Sequence, residues 1–342
     1  MAAELDLTDL AARATAAAQG WAPGSACTDV TVLTGGQSSL TYTTLVEGGP
    51  TPGERIVLKV APPGLEPVRN RDVSRQARLM RALAGAPGVR VPTVYFEDDG
   101  APPAVPPFHA MNLIRGECVE PIFEVPTPAT AAQIPARAFG AAEMLARLHD
   151  VDPAAVGMGG EAVTDLETEV RRWTRAFETV PPEMNDRYLE AEALLLATMP
   201  KPLRPSFCHG DYRLGNMLCD GETVAALIDW EIWTLSDPRL DLAWFCLFTE
   251  EAMHPMRSNH EPTTMPSDVA LLDAYAAAAG AMPADLEWFH CLVRYKESAT
   301  SALLIKRALK AGMDLGGVDW RTSLPALTRE CIERLEGFTP TA

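Results

Sequence analysis

The feature that most constrains the fold is the uneven distribution of strand-like and helix-like segments along the chain. Short runs rich in Val, Thr and Tyr are concentrated in the first third, whereas after Arg115-Gly116 most apolar patterns have the 3.6-residue helical period. This division predicts an α+β fold with two lobes. A small antiparallel β lobe should cover residues 1–115, and a larger, mostly helical lobe should cover residues 116–342.

The predicted elements follow from this periodicity. In the first lobe we expect helices at 5–19 and 71–83 and strands at 29–33, 40–46, 55–60, 91–97 and 108–114. In the second lobe we expect a short β segment around Phe207, 217–219 and 224–228, and helices at 135–148, 165–180, 186–198, 235–249, 268–279 and 284–311. Pro135 fits the first turn of its predicted helix.

Composition and charge narrow the possible partners. A net charge of −17 argues against nucleic acid and against anionic membrane surfaces. No run of apolar residues is long enough for a membrane helix, and the first residues lack the apolar core of an export signal. We therefore expect a cytoplasmic protein that binds a small molecule. The sequence does not indicate an oligomeric state.

The segment 207–242 contains the residues most suggestive of chemistry. Asp211 follows His209-Gly210, Asn216 comes five residues after Asp211, and Asp229 ends the second arm of a hairpin predicted at Asp220-Gly221. Folding at this hairpin should carry Asp229 back towards Asn216 and Asp211. The three residues could also be ordinary turn and strand-end residues, but their order and spacing match the catalytic loop of a kinase fold.

Phosphoryl transfer needs this set of side chains. A carboxylate orients the attacking hydroxyl and accepts its proton, while an amide oxygen and a second carboxylate hold the Mg²⁺ that bridges the nucleotide phosphates. We therefore predict an ATP- and Mg²⁺-dependent kinase that acts on a hydroxyl group, with Asp211 as catalytic residue and Asn216 and Asp229 as metal ligands.

The segments HGDYRLGNML and ALIDWEIWTLSDPRLDLAWF resemble the aminoglycoside phosphotransferase and choline kinase superfamily, whose fold is protein-kinase-like. Within it, Arg213 and Glu231 lie in motifs similar to a subgroup found as the kinase-like domain of acyl-CoA dehydrogenase fusion proteins. The resemblance extends from about residue 25 to about residue 312. It implies that Asp241 braces the catalytic loop from a helix. His209 should do the same by hydrogen bonding, although a purely structural histidine fits it equally well.

The resemblance also implies a nucleotide site in the first lobe. Lys59 occupies the position of the basic residue that contacts the α- and β-phosphates. Backbone groups of 111–113, including Met111 and Leu113, should hold the adenine. A glycine-rich phosphate loop is implied for GGQSS, where backbone N–H groups could bind anions. Its residues are Gly35, Gly36, Ser38 and Ser39.

One residue departs from the pattern of the family. The helix after the lysine strand usually presents a Glu that pairs with that lysine, but here the matching residue is Gln76. Asp72, four residues earlier, could supply the missing charge. Gln76 also raises the alternative of a nucleotide-binding regulator without activity, against which the intact Asp211, Asn216 and Asp229 argue. A protein kinase is disfavoured because no activation segment is recognisable.

Two conflicting features leave the identity of the phosphate acceptor open. The acidic second lobe, with 35 acidic against 19 basic residues, suits a cationic acceptor such as an aminoglycoside. The subgroup resemblance favours a hydroxyacyl-type or apolar metabolite instead. A basic cluster late in the chain could bind an anionic acceptor or could be a solvated face; it contains Arg294, Lys296, Lys306, Arg307 and Lys310.

Overall fold

The computed structural model of the chain describes residues 5–33, 40–50, 52–249, 254–259, 261–313, 315 and 319–341. These residues form two compact units. The first consists of Met1–Gly116 together with two short later segments, Val156–Met158 and Ala225–Ile232. The second contains Glu117–Ala155, Gly159–Val224 and Trp233–Ala342.

The first unit is built on a five-stranded antiparallel sheet in the order β1-β2-β3-β5-β4. Its elements are α1 (Leu7–Trp21), β1 (Ala26–Val32), β2 (Leu40–Glu47), β3 (Arg55–Val60), α2 (Val73–Leu83), β4 (Val94–Asp98) and β5 (Phe108–Asn112). Each strand predicted for this part of the chain is present within a few residues of its expected bounds. The β meander is therefore confirmed.

Helix α1 covers one face of this sheet because its apolar residues recur every four positions. Leu10, Ala14 and Ala18 are fully buried and share a core with Leu58 and Phe108 of the strands. Asp6 caps the helix by accepting hydrogen bonds from the N–H groups of the first turn. The small alanines allow close approach of helix and sheet.

The second unit is mostly helical, and its last helix was not predicted from the sequence. Its elements are α3 (Pro128–Asp150), α4 (Leu166–Phe177), α5 (Tyr188–Ala197), β6 (Ser206–Cys208), β7 (Met217–Asp220), β8 (Thr223–Leu227), β9 (Thr234–Ser236), α6 (Arg239–Leu247), α7 (Asp268–Ala279), α8 (Leu286–Lys310) and α9 (Trp320–Glu336). Strand β8 continues into the first unit. No helix within the described residues combines the length and the apolar character that crossing a membrane requires.

Helix α8 is the central helix of this unit. Unlike an amphipathic surface helix, it buries residues on every side along most of its length, including Trp288, Tyr295 and Ala302. It packs against α4, α6 and α9. Polar residues of α8 therefore lie in the interior, where each needs a partner.

The predicted helix at 135–148 begins seven residues earlier than expected, at Pro128. Thr127 caps it by accepting the N–H of Thr130, and Pro128 occupies its first turn, so the expectation that Pro135 lies in the first turn is wrong. A proline inside a helix deprives the carbonyl four residues earlier of its hydrogen bond. That carbonyl belongs to Ala131, and it accepts the hydroxyl of Thr264 at 2.9 Å. A distant side chain thus compensates for the proline.

The helix predicted at 235–249 begins only at Arg239. Thr234–Ser236 instead form β9, which pairs with β6. The helix does not extend back over the residue before Pro238, because a residue that precedes proline disfavours the helical conformation. Helix α9 was not predicted, although its buried residues recur at helical spacing from Trp320 through Leu324 and Leu327 to Leu335. The missed signal was present in the sequence.

Candidate active site

The predicted catalytic loop leaves strand β6 at Cys208 and ends in a short 3₁₀ turn, Leu214–Asn216. Asp241, on α6, holds the start of this loop. Its two carboxylate oxygens accept the backbone N–H groups of His209 and Gly210. Asp241 is buried, which raises the pKa of its carboxyl above the ordinary value, against the lowering effect of His209 and these N–H groups. Asp241 thus contacts the loop as the family resemblance implied.

Lys296 holds the same loop from α8, a role that the sequence did not reveal. Its Nζ donates to the carbonyl of Gly210 and lies 3.7 Å from the centre of the Trp244 ring. Burial lowers the pKa of Lys296, while Glu169, Asp211 and Asp241 oppose that effect. The backbone of Gly210 is therefore fixed on both its N–H and its carbonyl side.

The carboxylate of Asp211 is surrounded by donors. Arg213 Nε lies 3.2 and 3.1 Å from its two oxygens, and Trp244 Nε1 donates to Oδ1 at 3.0 Å. Asn216 Nδ2 donates to Oδ2 at 2.8 Å. Burial raises the pKa of Asp211, but Arg213, His209, Lys296 and Asn216 outweigh it and hold the pKa below the ordinary value. Asp211 is therefore ionised at neutral pH.

Asn216 and His209 complete the loop. Asn216 Nδ2 also donates to the carbonyl of Asp211 at 2.7 Å, which leaves Oδ1 as the amide atom suited to a cation. His209 is fully buried, and its Nδ1 accepts the N–H of Asp211 at 3.2 Å. His209 therefore shapes the loop by hydrogen bonding.

Asp229 and Lys59 form a pair in the first unit. Lys59 Nζ donates to Asp229 Oδ1 at 3.2 Å, with the Asp229 side chain 37% exposed. Asp229 has a φ of 65°, in the left-handed region that few side chains adopt and that is frequent at functional sites. The predicted hairpin before it exists, with Gly221 at φ 57° in the turn. That the hairpin brings Asp229 close to Asn216 and Asp211 stays a prediction.

The structure corrects the hypothesis that Asp72 supplies the charge missing at Gln76. Asp72 does not lie on the face of α2 but caps its N-terminus, where its carboxylate accepts the N–H of Arg75 at 2.9 Å. Gln76 is buried and lies 3.5 Å from the carbonyl of Asn70. Among the described residues, the carboxylate recorded beside Lys59 is that of Asp229.

His109 is a neighbour of Lys59 that the sequence did not single out. It lies opposite Lys59 in the β3–β5 ladder, is fully buried, and donates from Nδ1 to the carbonyl of Val73 at 2.9 Å. Burial and the nearby Lys59 lower the pKa of His109 to about 3. The neutral ring links β5 to the start of α2, the helix that carries Gln76.

We expect Lys59→Ala to weaken ATP binding more than Gln76→Ala does, because a lysine supplies a charged donor to phosphate and Gln76 supplies none. Losing a hydrogen bond to a charged group costs about 1.5–3 kcal/mol, or roughly 10- to 100-fold in affinity. Gln76→Glu should leave activity similar or improve it. Calorimetric ATP titrations and turnover assays check both expectations. A large loss in Gln76→Glu would reveal a role for the amide that the family pattern does not contain.

The remaining predicted nucleotide contacts are placed as follows. Met111 lies in β5, opposite Val57 of β3 and Val94 of β4, and Leu113 follows the strand and is 41% exposed. Glu231 lies in the 3₁₀ turn after Asp229 and is partly exposed. The predicted phosphate-loop residues lie outside the described part of the chain; they are Gly35, Gly36, Ser38 and Ser39.

The late basic cluster is not one surface. Arg294 is buried and lies 3.0 Å from Glu330, Lys296 is buried against the loop at Gly210, and Lys306 donates to the carbonyl of Thr179. The five residues therefore form neither the single solvated face nor the single anion site that the sequence suggested. The five bases separate because α8 is buried along most of its length but not at its end: Arg294 and Lys296 lie in the interior, whereas Arg307 and Lys310 are exposed.

Two buried carboxyls in the second unit were also missed. Burial raises the pKa of Glu120 to about 7, against the lowering effect of Arg213, and it raises the pKa of Glu297 to about 7. The Ser301 hydroxyl donates to Glu297 Oε1, and His254 Nε2 lies 3.5 Å from the same oxygen. Sequence patterns do not reveal such groups, because their burial depends on the packing of distant segments.

Glu297→Gln should remove a pH-dependent cost from the folded state. The Glu297 carboxyl has a pKa near 4.5 in the unfolded chain and near 7 in the folded protein. The free energy of unfolding therefore falls by up to about 3 kcal/mol as the pH rises through that interval. The free energy of unfolding of the variant minus that of the wild type should therefore increase from pH 4.5 to pH 7 and stay constant above pH 7. Denaturant unfolding at a series of pH values measures this difference. Glu333→Gln, at an exposed position on α9, is the control and should give a flat difference.

Comparisons with known proteins agree with this geometry. The profile of the phosphotransferase enzyme family matches residues 29–289. The chain is 32% identical to acyl-CoA dehydrogenase family member 10 of Mus musculus over 202 residues, or 56% of this chain and 18% of that protein. It is 27% identical to family member 11 of Mus musculus over 294 residues, or 82% of this chain and 36% of that protein. It thus spans about a fifth to a third of these relatives.

Among solved structures, a candidate aminoglycoside phosphotransferase from Ralstonia eutropha superposes with a TM-score of 0.75 at 22% identity. The match covers 97% of this chain and 99% of that one. This likeness confirms the two-lobed, kinase-like α+β fold. Since the family profile covers more than half of the chain, the chain belongs to the phosphotransferase enzyme family. This membership confirms the prediction of a phosphotransferase.

Proposed function

We propose that this protein is an ATP- and Mg²⁺-dependent kinase that transfers the γ-phosphate to a hydroxyl group of a small molecule. The observation that carries the proposal is the state of Asp211. Its carboxylate is ionised, is held in one orientation by Arg213, Trp244 and Asn216, and lies in a loop fixed by Asp241 and Lys296. A carboxylate held in this way is suited to orient an attacking hydroxyl.

The proposed metal ligands fit magnesium. Mg²⁺ prefers oxygen ligands, and Asn216 Oδ1 and the partly exposed carboxylate of Asp229 provide them. When bound, the ion would neutralise charge on the nucleotide phosphates. Lys59 is proposed to contact the α- and β-phosphates, exchanging its contact with Asp229 for them. Backbone groups at Met111 and Leu113 are proposed to hold the base, and the glycine-rich segment with Gly35, Gly36, Ser38 and Ser39 to cover the phosphates.

In the proposed reaction the acceptor oxygen attacks the γ-phosphorus while the bond from that phosphorus to the β–γ bridging oxygen breaks. The hydroxyl proton passes to Asp211, the phosphorylated alcohol forms and ADP leaves. Because the pKa of Asp211 is low, its main contribution is to orient the hydroxyl and to take the proton late, when the transition state has made the hydroxyl acidic.

The surroundings of Asp211 favour a hydroxyacyl-type or otherwise weakly charged acceptor. Within the second unit, the cations Arg213 and Lys296 and the aromatic ring of Trp244 lie beside it. The nearby Glu120 and Glu297 are buried with pKa values raised to about 7, so they are only partly ionised and offer a polyamine less negative charge than two ordinary carboxylates would. The names of the curated relatives, which refer to acyl-CoA dehydrogenases, point in the same direction.

An aminoglycoside acceptor is the second candidate, and two observations favour it. The chain is strongly acidic overall, and the superposed structure from Ralstonia eutropha is described as a candidate aminoglycoside phosphotransferase. A polycationic acceptor needs ionised carboxylates beside the attacking hydroxyl. The described neighbours of Asp211 supply more positive than negative charge, so we rank this candidate second.

The proposal is tested by an ATP-consumption screen against pooled hydroxyacids, hydroxyacyl-CoA esters and aminoglycosides, with and without Mg²⁺ and with GTP as an alternative donor. We expect Mg²⁺-dependent ADP formation with the hydroxyacyl pool, and none with Asp211→Asn. Turnover with aminoglycosides alone would replace the first candidate by the second. Mg-ATP binding without turnover in any pool would favour a nucleotide-binding regulator and would contradict the proposed activity.

A further inference from the structure

Arg213 has more contacts around the catalytic loop than its position in the sequence suggests. Besides reaching both oxygens of Asp211 through Nε, it places NH1 at 3.5 Å from Glu120 Oε2. The guanidinium also lies 5.8 and 5.7 Å from the ring centres of Phe123 and Phe248. A planar cation in contact with two carboxylates and two aromatic rings has little freedom to rotate.

Glu120 and Gly215 provide the surface on which this guanidinium lies. Glu120 is buried and accepts the N–H of Gly215 at 3.0 Å. A Cβ at position 215 would lie 2.0 Å from Arg213 NH1 and 3.0 Å from the Cβ of Glu120. Any side chain at this position would therefore displace the guanidinium. We call Glu120 and Gly215 the Arg213 seat.

We propose that Arg213 is a positioning residue that fixes the orientation of the Asp211 carboxylate, and that the Arg213 seat determines where its guanidinium lies. The part of this inference that concerns turnover rests on the proposed kinase function. Trp244 and Asn216 each bind one oxygen of Asp211, whereas Arg213 reaches both. Without Arg213 each oxygen keeps a single donor, so the orientation of the carboxylate is fixed less firmly. Misplacing a catalytic group by about 1 Å can cost roughly 100-fold in rate.

The activity test compares a charge deletion with a displacement that leaves every charge in place. Arg213→Ala removes the cation, and Gly215→Ala keeps it but fills its seat. Both should lower kcat by about 10- to 100-fold while the KM for ATP changes little. The controls are Arg204→Ala, at a side chain 56% exposed, and Gly140→Ala, where a Cβ meets nothing within 4 Å; both should keep wild-type turnover.

Chemical rescue separates positioning from a general structural role. Millimolar methylguanidinium should restore part of the turnover of Arg213→Ala. The truncated side chain leaves the Arg213 seat and the rings of Phe123 and Phe248 in place to bind the added cation. It should not rescue Gly215→Ala, where the new methyl group occupies the seat, nor Asp211→Asn. Wild-type kcat in Gly215→Ala, or equal rescue of Arg213→Ala and Asp211→Asn, would overturn the proposal.

A second measurement does not depend on catalysis. Trp244 Nε1–H donates to Asp211 Oδ1, so its indole resonance in an ¹⁵N-labelled sample reports the position of that carboxylate. Trp244→Phe assigns the signal. Arg213→Ala and Gly215→Ala should move it, and Gly140→Ala should not. If no acceptor supports turnover, the kinase proposal fails but this result still decides the inference: an unmoved signal in both variants refutes it.

Discussion

Replacing Asp211 by asparagine should lower turnover by about 10²- to 10⁴-fold, the usual contribution of a general base, while Mg-ATP binding persists. The amide keeps the shape of the carboxylate but loses its charge and its basicity. It also offers one acceptor oxygen where the carboxylate offered two, so either Trp244 or Asn216 is left facing an NH₂ group. We therefore expect a folded protein that is less stable by about 1–3 kcal/mol.

Steady-state kinetics with the acceptor found in the screen, together with calorimetric ATP titration and thermal unfolding, measure these effects. Asp273→Asn, at an exposed position on α7, makes the same chemical change away from the loop and should match the wild type in all three. A variant of Asp211 that unfolds would make the residue structural. Normal turnover in a folded variant would contradict the kinase function.

Replacing Asp229 by asparagine should abolish Mg²⁺-dependent ATP binding. The substitution leaves the backbone undisturbed, since asparagine tolerates the left-handed conformation that Asp229 adopts at φ 65°. What is lost is the negative charge that attracts the cation. The same loss releases Lys59 from its ion pair, so binding of ATP without metal should persist or strengthen. Calorimetric titrations with and without Mg²⁺ separate the two effects.

The first unit offers a closely matched control for this variant. Asp29 is also a left-handed aspartate, with φ 51°, and its carboxylate also pairs with a cation, that of Arg55. Asp29→Asn should bind Mg-ATP as the wild type does. Unchanged Mg-ATP affinity in Asp229→Asn would show that the metal ligands have been assigned wrongly.

The architecture was predictable where a pattern is local. Strand alternation and the change of period after Arg115 gave the β sheet and the helical remainder, and the Asp-Gly pair gave the hairpin at 220–221. Prediction from the sequence failed where contacts between distant segments determine the local structure. The carbonyl freed by Pro135 is satisfied by Thr264, and Thr234–Ser236 form a strand because β6 is available to pair with them.

The same distinction holds for the site. The spacing of His209, Asp211 and Asn216 is a local motif, and the contacts among these residues follow from it. The roles of Lys296 and Glu120 could not be read from spacing, because they lie 86 and 95 residues from their partners Gly210 and Gly215. A lysine on a helix looks solvent-exposed until the helix proves to be buried. The position of the glycine-rich segment remains a prediction.

The first compact unit is discontinuous in sequence, and this limits how it can be inherited or engineered. Residues 225–232 belong to it by their contacts: Leu227 donates its N–H to the carbonyl of Arg90, and Asp229 pairs with Lys59 from 170 positions away. A gene fragment ending near residue 116 would encode the sheet without that segment and without the proposed metal ligand. Exchange between related genes could therefore not move this unit, for which we propose nucleotide binding, as one continuous segment. Recombination would have to carry residues 1–232 together, and the catalytic loop with them.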